Sequence, residues 1–149
     1  MSILLASTDF WEDMEVWSNG LKIAMPEMDI KVYPDEGDVD KVEYAVVWKH
    51  PPGILRQYPN LKASIDITYR PVTNNLKELL LEAEKLVFKH AVKAEQIVPK
   101  DFVNAKKRVF GSLYEITGNA ASHLQFHVTD STHNFIKGSL YFYAKPNYD

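Results

Sequence analysis

The stretch NLKASIDITYRP, residues 60–71, decides how the rest of the chain is organised. As a local pattern it reads as one β-strand from Leu61 to Tyr69, alternating apolar and polar positions and stopped by Pro71. A strand here can be an element inside one sheet or a seam between two blocks of sequence. The segments on either side bear on that choice.

Upstream, SILLAS (2–7) reads as a short buried strand. TDFWEDMEVWSNGLKIAMP follows as a helix. Thr8 or Asp9 is its cap, acids occupy its first turn, and Phe10, Met14, Trp17, Leu21 and Met25 fall at helical spacing. DIKVYP (29–34) is a second strand and DEGDVDKV (35–42) an acidic turn. EYAVVWK (43–49) is a third strand, whose continuous apolar run fits burial on both faces. HPPGILRQYPN (50–60) is a prolyl loop with one helical turn. Connections this short predict an α/β unit with parallel pairing.

Downstream, residues 73–96 form the longest helical pattern. Asn75 and Glu78 stand at capping-box spacing, and Leu76, Leu79, Leu80, Ala83, Leu86, Val87 and Ala91 make an apolar stripe. VPKDFVNAKK reads as a loop. Strands at 108–117, 123–129 and 136–144 then form an antiparallel meander across the short loops GNAAS and DSTHN. The fold class is therefore α/β to α+β: an N-terminal β-α-β unit, a long helix and a C-terminal three-stranded meander in one mixed sheet. Residues 1–149 are expected to form a single compact domain, with sub-parts 1–60 and 61–149. In that domain 61–69 is a central strand shared by both.

Bulk properties set limits. The chain has 149 residues, 46% of them hydrophobic, a formal charge of −3 and no cysteine. This excludes disulfides, thiolate nucleophiles and cysteine-ligated zinc. The balance argues against nonspecific nucleic-acid or acidic-membrane binding, although residues 1–65 carry 11 acids and 6 bases and residues 66–149 carry 9 and 11. With no signal-peptide pattern and no apolar run long enough to cross a membrane, a cytoplasmic location is the expectation.

Two resemblances follow from particular motifs. MSILLA at the start and EYAVVWKHPPGILRQYPNLKASI (43–65) resemble the opening of the D-isomer-specific 2-hydroxyacid dehydrogenases, of the glyoxylate/hydroxypyruvate reductase A type. That resemblance places Trp48, His50 and Pro51 in a loop near the substrate. Its Gly-rich continuation and GxGxxG fingerprint are absent, so a nicotinamide cofactor has no backbone cradle here. From residue 61 onward, DITYRPVTNNL, FKHAVKAEQI, FGSLYEITGNAAS, LQFHVTDST and GSLYFYAKPN resemble the GldD-type gliding-motility lipoproteins. Those proteins are lipid-anchored accessories of a gliding and secretion apparatus, without known catalysis. The two blocks overlap at 61–65, so the chain reads as a chimera of the kind an artificial or generated sequence would be.

Several clusters invite chemistry. His123 and His127, four apart on a strand with Asp130 and His133 nearby, suggest a metal site. Two strand residues at that spacing lie about 13 Å apart, so the expectation is that both face solvent, opposite Leu124, Phe126 and Val128. Asn119, Ser122, Thr129 and Asp130, with Ser131 and Thr132, offer a polar recognition surface or ordinary turn chemistry. A Ser-His-Asp triad lacks a nucleophile elbow. Lys85, Lys89 and Lys93 with KKR (106–108) suggest a nucleic-acid platform or a solvated face, and the solvated face is expected. The acids at 35, 36, 38 and 40 lack the spacing of a calcium loop.

The functional expectation is a non-enzymatic protein acting through contacts with an unidentified protein partner, as an inhibitor or neutraliser of the antitoxin or anti-CRISPR kind. No cofactor, metal, nucleic acid or membrane is expected. The alternatives are a residual binder of small 2-oxo or 2-hydroxy acids at Trp48 and His50, and a gliding-motility accessory module. The possible binding residues are Trp48, His50, Asn119, Ser122, Thr129 and Asp130.

Overall fold

A computed structural model of the chain describes residues 1–7, 14–50, 52–90 and 92–143. The cap read at Thr8 or Asp9, Phe10, Pro51, Ala91 and the terminal KPNYD lie outside the described residues. The strands are β1 (Ser2–Ser7), β2 (Asp29–Val32), β3 (Val42–Trp48), β4 (Ala63–Pro71), β5 (Ala94–Asn104), β6 (Val109–Gly118), β7 (Leu124–Thr129) and β8 (Asn134–Phe142). The helices are α1 (Met14–Ala24) and α2 (Leu76–His90). The eight strands make one mixed sheet in the order β2-β1-β3-β4-β8-β7-β6-β5, with the 60–71 stretch supplying β4 at its fourth position.

By internal contacts the chain divides into two compact units. The first is Met1–Asp66 with Phe142–Asp149, and the second is Ile67–Tyr141. In the first unit β1 pairs in parallel with β2 and with β3, and β3 in parallel with β4. Parallel strands sit under crossovers and are covered on both faces. Accordingly Leu4, Leu5 and Ala6 of β1 are fully buried. One face packs Leu4, Ala6, Ala45 and Val47 against Ile54, Tyr58 and Leu61 from the loop after β3. That loop contains a single 3-10 turn at Ile54–Gln57, entered through Gly53 in the left-handed region. On α1, Met14, Trp17, Leu21 and the following Met25 are half-buried while Val16 and Ile23 are exposed, as the helical spacing requires.

In the second unit β5, β6, β7 and β8 form an antiparallel meander of four strands. Residues 98–107 are read from sequence as a loop, but 98–104 supply most of β5. The helical pattern also ends at His90, short of Gln96. β5 stands at the edge of the sheet, and most of its side chains are exposed, so burial imposes no alternating pattern on it. Pro99 lies within it, which an edge strand tolerates because its outer side needs no N–H donor.

α2 buries Leu79, Ala83 and Val87, with Leu76, Leu80 and Leu86 half-buried, along the stripe read from sequence. At its start the Asn75 side chain accepts from the Thr73 N–H at 2.7 Å, while the Asn75 carbonyl takes the Leu79 N–H. The carboxamide thus turns back into the preceding loop and not forward toward Glu78 as a capping box would have it. Leu79 and Ala83 pack on Phe135 of β8, which is 1% exposed.

Phe135 shares its side of the sheet with Thr129, and by register with His127, Gln125, Lys137 and Ser139. The helix therefore covers the polar face of β7: Gln125, His127 and Thr129 are buried, and Leu124, Phe126 and Val128 are only half-buried. This corrects the expectation that the histidines face solvent opposite Leu124, Phe126 and Val128. Periodicity alone assigns the apolar set to the core, but α2 packs its leucine stripe on Phe135, whose side of the sheet carries Gln125, His127 and Thr129.

Candidate functional site

In the first unit the carboxyl ends of β1 and β3 lie side by side, with Ser7 opposite Trp48. The strand order reverses at this pair, since β2 flanks β1 on one side and β3 on the other. Open parallel sheets hold ligands outside such a reversal. Trp48 is 5% exposed, and the Lys49 ammonium lies 5.8 Å from the centre of its ring. Lys49 adopts φ +41°, a left-handed conformation that costs a residue with a Cβ about 1 kcal/mol or more. His50 follows half-buried, with Nε2 3.8 Å from Oδ1 of Asp66 on β4. Burial pushes the Asp66 carboxyl above its usual range, and the His50 charge pulls the other way. The imidazole and the carboxyl thus lie side by side at the carboxyl end of the sheet. Asp66 was missed in the sequence reading, although a carboxylate between Ile65 and Ile67 in a strand is itself a signal.

A second buried polar group of this unit lies in the acidic turn between β2 and β3. Glu36 is 7% exposed and accepts a 2.6 Å hydrogen bond from the Tyr58 hydroxyl. Burial and this carboxylate together raise the Tyr58 phenol well above its ordinary range. Gln57 donates to the same hydroxyl oxygen at 2.9 Å, and Lys31 Nζ donates to the Glu36 carbonyl at 3.0 Å. Oε2 of Glu36 is buried with no hydrogen-bond partner among the described residues. The turn is thus tied to the core cluster through Tyr58, while its other acids, Asp35, Asp38 and Asp40, stand exposed.

In the second unit the four polar residues singled out from sequence do not meet in one site. Ser122 is fully buried and its Oγ lies 2.8 Å from the Leu140 carbonyl and 3.2 Å from the Leu124 carbonyl. Thr129 accepts the Ser131 N–H at 3.0 Å and donates to the Asn134 carbonyl at 2.6 Å. Asp130 Oδ1 accepts the N–H groups of Thr132, His133 and Asn134, and Oδ2 the Asn134 side-chain amide. Those donors hold the Asp130 carboxyl far below the usual carboxylate range. Thr129 and Asp130 build a turn by bonding local backbone, whereas Ser122 also reaches across to β8. Asn119 is exposed, in the loop after β6.

His123 Nε2 lies 3.3 Å from the Gly118 carbonyl. His127 stacks on Phe135 with ring centroids 5.8 Å apart and planes at 14°, and Tyr114 lies 6.2 Å away on its other side. Nδ1 of His127 is buried without a hydrogen-bond partner among the described residues. His127 lines, with Ala83, Leu86 and Val87 of α2, a crevice no larger than about one water molecule. Burial lowers the His127 pKa, against smaller opposing pulls from Asp101 and Glu84.

The face of this unit away from α2 is largely apolar, apart from the Lys100–Glu115 ion pair at 2.6 Å. By register it carries Leu124, Phe126 and Val128 of β7, Ile136 and Leu140 of β8, Leu113 and Val109 of β6, and Phe102 of β5. Phe102 lies over Gly111 and Phe126 over Gly138, each aromatic ring covering the glycine directly across the ladder. These side chains are half-buried, and Phe102 is 39% exposed.

No curated protein matches the chain. Among solved structures, a D-isomer specific 2-hydroxyacid dehydrogenase from Xanthobacter autotrophicus Py2, determined in complex with NADPH and MES, shares 21% identity over 60% of this chain. The match spans 35% of that chain with a TM-score of 0.38, a likeness too slight to carry fold or activity across. The model of the gliding motility lipoprotein GldD family matches residues 32–149. The matched span begins in β2, upstream of residue 61 from which the resemblance was read, and it takes in the stretch 60–71. Over that span, most of its length, the chain belongs to the gliding motility lipoprotein GldD family.

Proposed function

We propose that the chain is a non-enzymatic interaction module of a gliding-motility apparatus, working through protein–protein contacts at a membrane surface. The observation that carries this reading is the family match over residues 32–149. The apolar sheet face of the second unit agrees with it, because protein partners bury surfaces of this kind. Occlusion of a partner, as an inhibitor does, is one form such contact takes. The test is complementation: the chain, fused to a lipoprotein signal, is expressed in a gliding bacterium whose own family member is deleted. Restored spreading of colonies is expected. Folded, membrane-located protein that leaves the cells non-motile refutes the assignment.

A second reading is favoured by one specific observation, the His50–Asp66 pair beside Lys49 and Trp48 at the strand reversal. It assigns a small 2-oxo or 2-hydroxy acid to that position, its carboxylate on Lys49 and His50. Titration with glyoxylate or hydroxypyruvate should quench Trp48 fluorescence, and an unchanged spectrum at millimolar ligand eliminates this reading.

A further inference from the structure

The end of α2 and the loop after β6 enclose an open cleft of about 450 Å³, lined by Lys89, Val92, Lys93, Asn119, Ala120 and Ala121. Its size lies in the range of ligand-holding clefts, roughly 300–1,000 Å³. Two motifs separated in sequence, the lysine run of the helix and the GNAAS loop, therefore come together at one place. Lys89 and Lys93 are both exposed, and among the described residues neither has an ion-pair partner. Val92 is 83% exposed between them in sequence. Glu95 rests its stem on Gly118 beside the loop and is not part of the cleft lining. The cleft thus offers two cations, one carboxamide and the apolar side chains of Val92, Ala120 and Ala121.

We propose that this cleft docks an acidic peptide segment of a partner protein, its carboxylates on Lys89 and Lys93, a backbone amide on Asn119, and an apolar side chain on Val92, Ala120 and Ala121. The occupant is fixed by charge complementarity and by the type of cation. Lysine ammonium groups are separate point charges on flexible stems, suited to carboxylates spaced along a chain, whereas bidentate capture of one phosphate favours arginine. The methyl-lined part of the cleft suits a mixed acidic and aliphatic segment better than a bare anion. Such a contact is steered and strengthened electrostatically, so it weakens as salt screens it. This inference rests on the interaction-module reading, since it names the chemistry of the partner.

The experiment uses the full chain, a fluorescein-labelled peptide alternating Glu and Val, and inorganic phosphate as a separate arm. Saturable anisotropy is expected with the peptide. Amide shifts in ¹H–¹⁵N spectra should centre on Lys89, Val92, Lys93, Asn119 and Ala120. Lys89→Glu/Lys93→Glu should weaken the peptide at least about tenfold, and both lysines being exposed, the thermal midpoint should stay within a degree or two. Binding unaffected by the double reversal, shifts elsewhere, or equal response to phosphate and peptide at equal concentration each overturn the proposal. Loss of peptide binding in a double variant that still restores gliding removes the peptide assignment and leaves the module. Peptide binding by a wild-type chain that fails to restore gliding does the converse.

Discussion

Replacing Phe135 by Ala removes the ring on which the second unit's helix rests. Phe135 is 1% exposed and packs on Leu79 and Ala83 of α2, with Val72, Leu76 and Leu80 around them. Deleting an aromatic ring from such a site costs about 3–5 kcal/mol in transfer and cavity terms. Its stacking on His127, with planes at 14°, falls with it and accounts for roughly 0.5–1.5 kcal/mol of interaction. A loss of about 4 kcal/mol over a urea m-value of roughly 2 kcal/mol/M moves the unfolding midpoint by ~2 M. The matched control is Ile136→Ala, one residue on and facing away from the helix, half-buried. At ~0.8 kcal/mol per fully buried methylene it should cost about 1–1.5 kcal/mol. Urea titration by circular dichroism, with m held constant between variants, measures both. The larger cost at Ile136 would falsify the assignment of faces, because a one-residue slip in β8 exchanges every side chain between helix and open side.

His127 is expected to make stability pH-dependent. Burial lowers its folded-state pKa below the ordinary 6.5. Between those values the unfolded chain binds the extra proton, so stability is full above pH 6.5 and falls as pH drops through that window. Glu84, Asp101, Lys137 and Tyr114 surround it from α2, β5, β8 and β6 and stay in place, so His127→Phe should flatten the slope of urea midpoint between pH 7.5 and 5. Tyr58→Phe strips Glu36 of the hydrogen bond to Oε1 when Oε2 already lacks a partner, and should cost about 1.5–3 kcal/mol. A cost near zero in chemical unfolding shows that Glu36 is hydrated. Asp130→Ala removes the acceptor for three backbone N–H groups and should cost about 1–2 kcal/mol, with faster amide exchange at Thr132, His133 and Asn134 as the readout. Gly138→Ala places a methyl against the Phe126 ring, and a cost of about 1–3 kcal/mol is expected; an unchanged thermal midpoint places Phe126 elsewhere.

The sequence by itself determined the elements whose burial is two-sided or strictly amphipathic. β1, β3, β4 and α2 follow from continuous apolar runs, alternation and the 3.6-residue stripe, and the register of α2 on Phe135 uses the leucines of that stripe. The turn roles of Thr129 and Asp130 were legible too, because Asp, Ser and Thr in a short loop bond the backbone next to them, a purely local effect. Ser122 is different: its partner carbonyls include Leu140, and only strand pairing brings that residue near.

Tertiary structure decided the rest. β5 has no core-facing pattern to read, since an edge strand is held by the ladder to β6 and not by burial. The side of β7 that receives the helix could not be read from β7, because α2 covers its polar residues and leaves Leu124, Phe126 and Val128 on the open face. The pairing of His50 with Asp66 depends on adjacent parallel strands, and that of Lys89 and Lys93 with Asn119 on the return of a loop past the helix end. In the stretch 60–71, alternation was enough to specify a strand, and long-range hydrogen bonding alone placed it between β3 and β8.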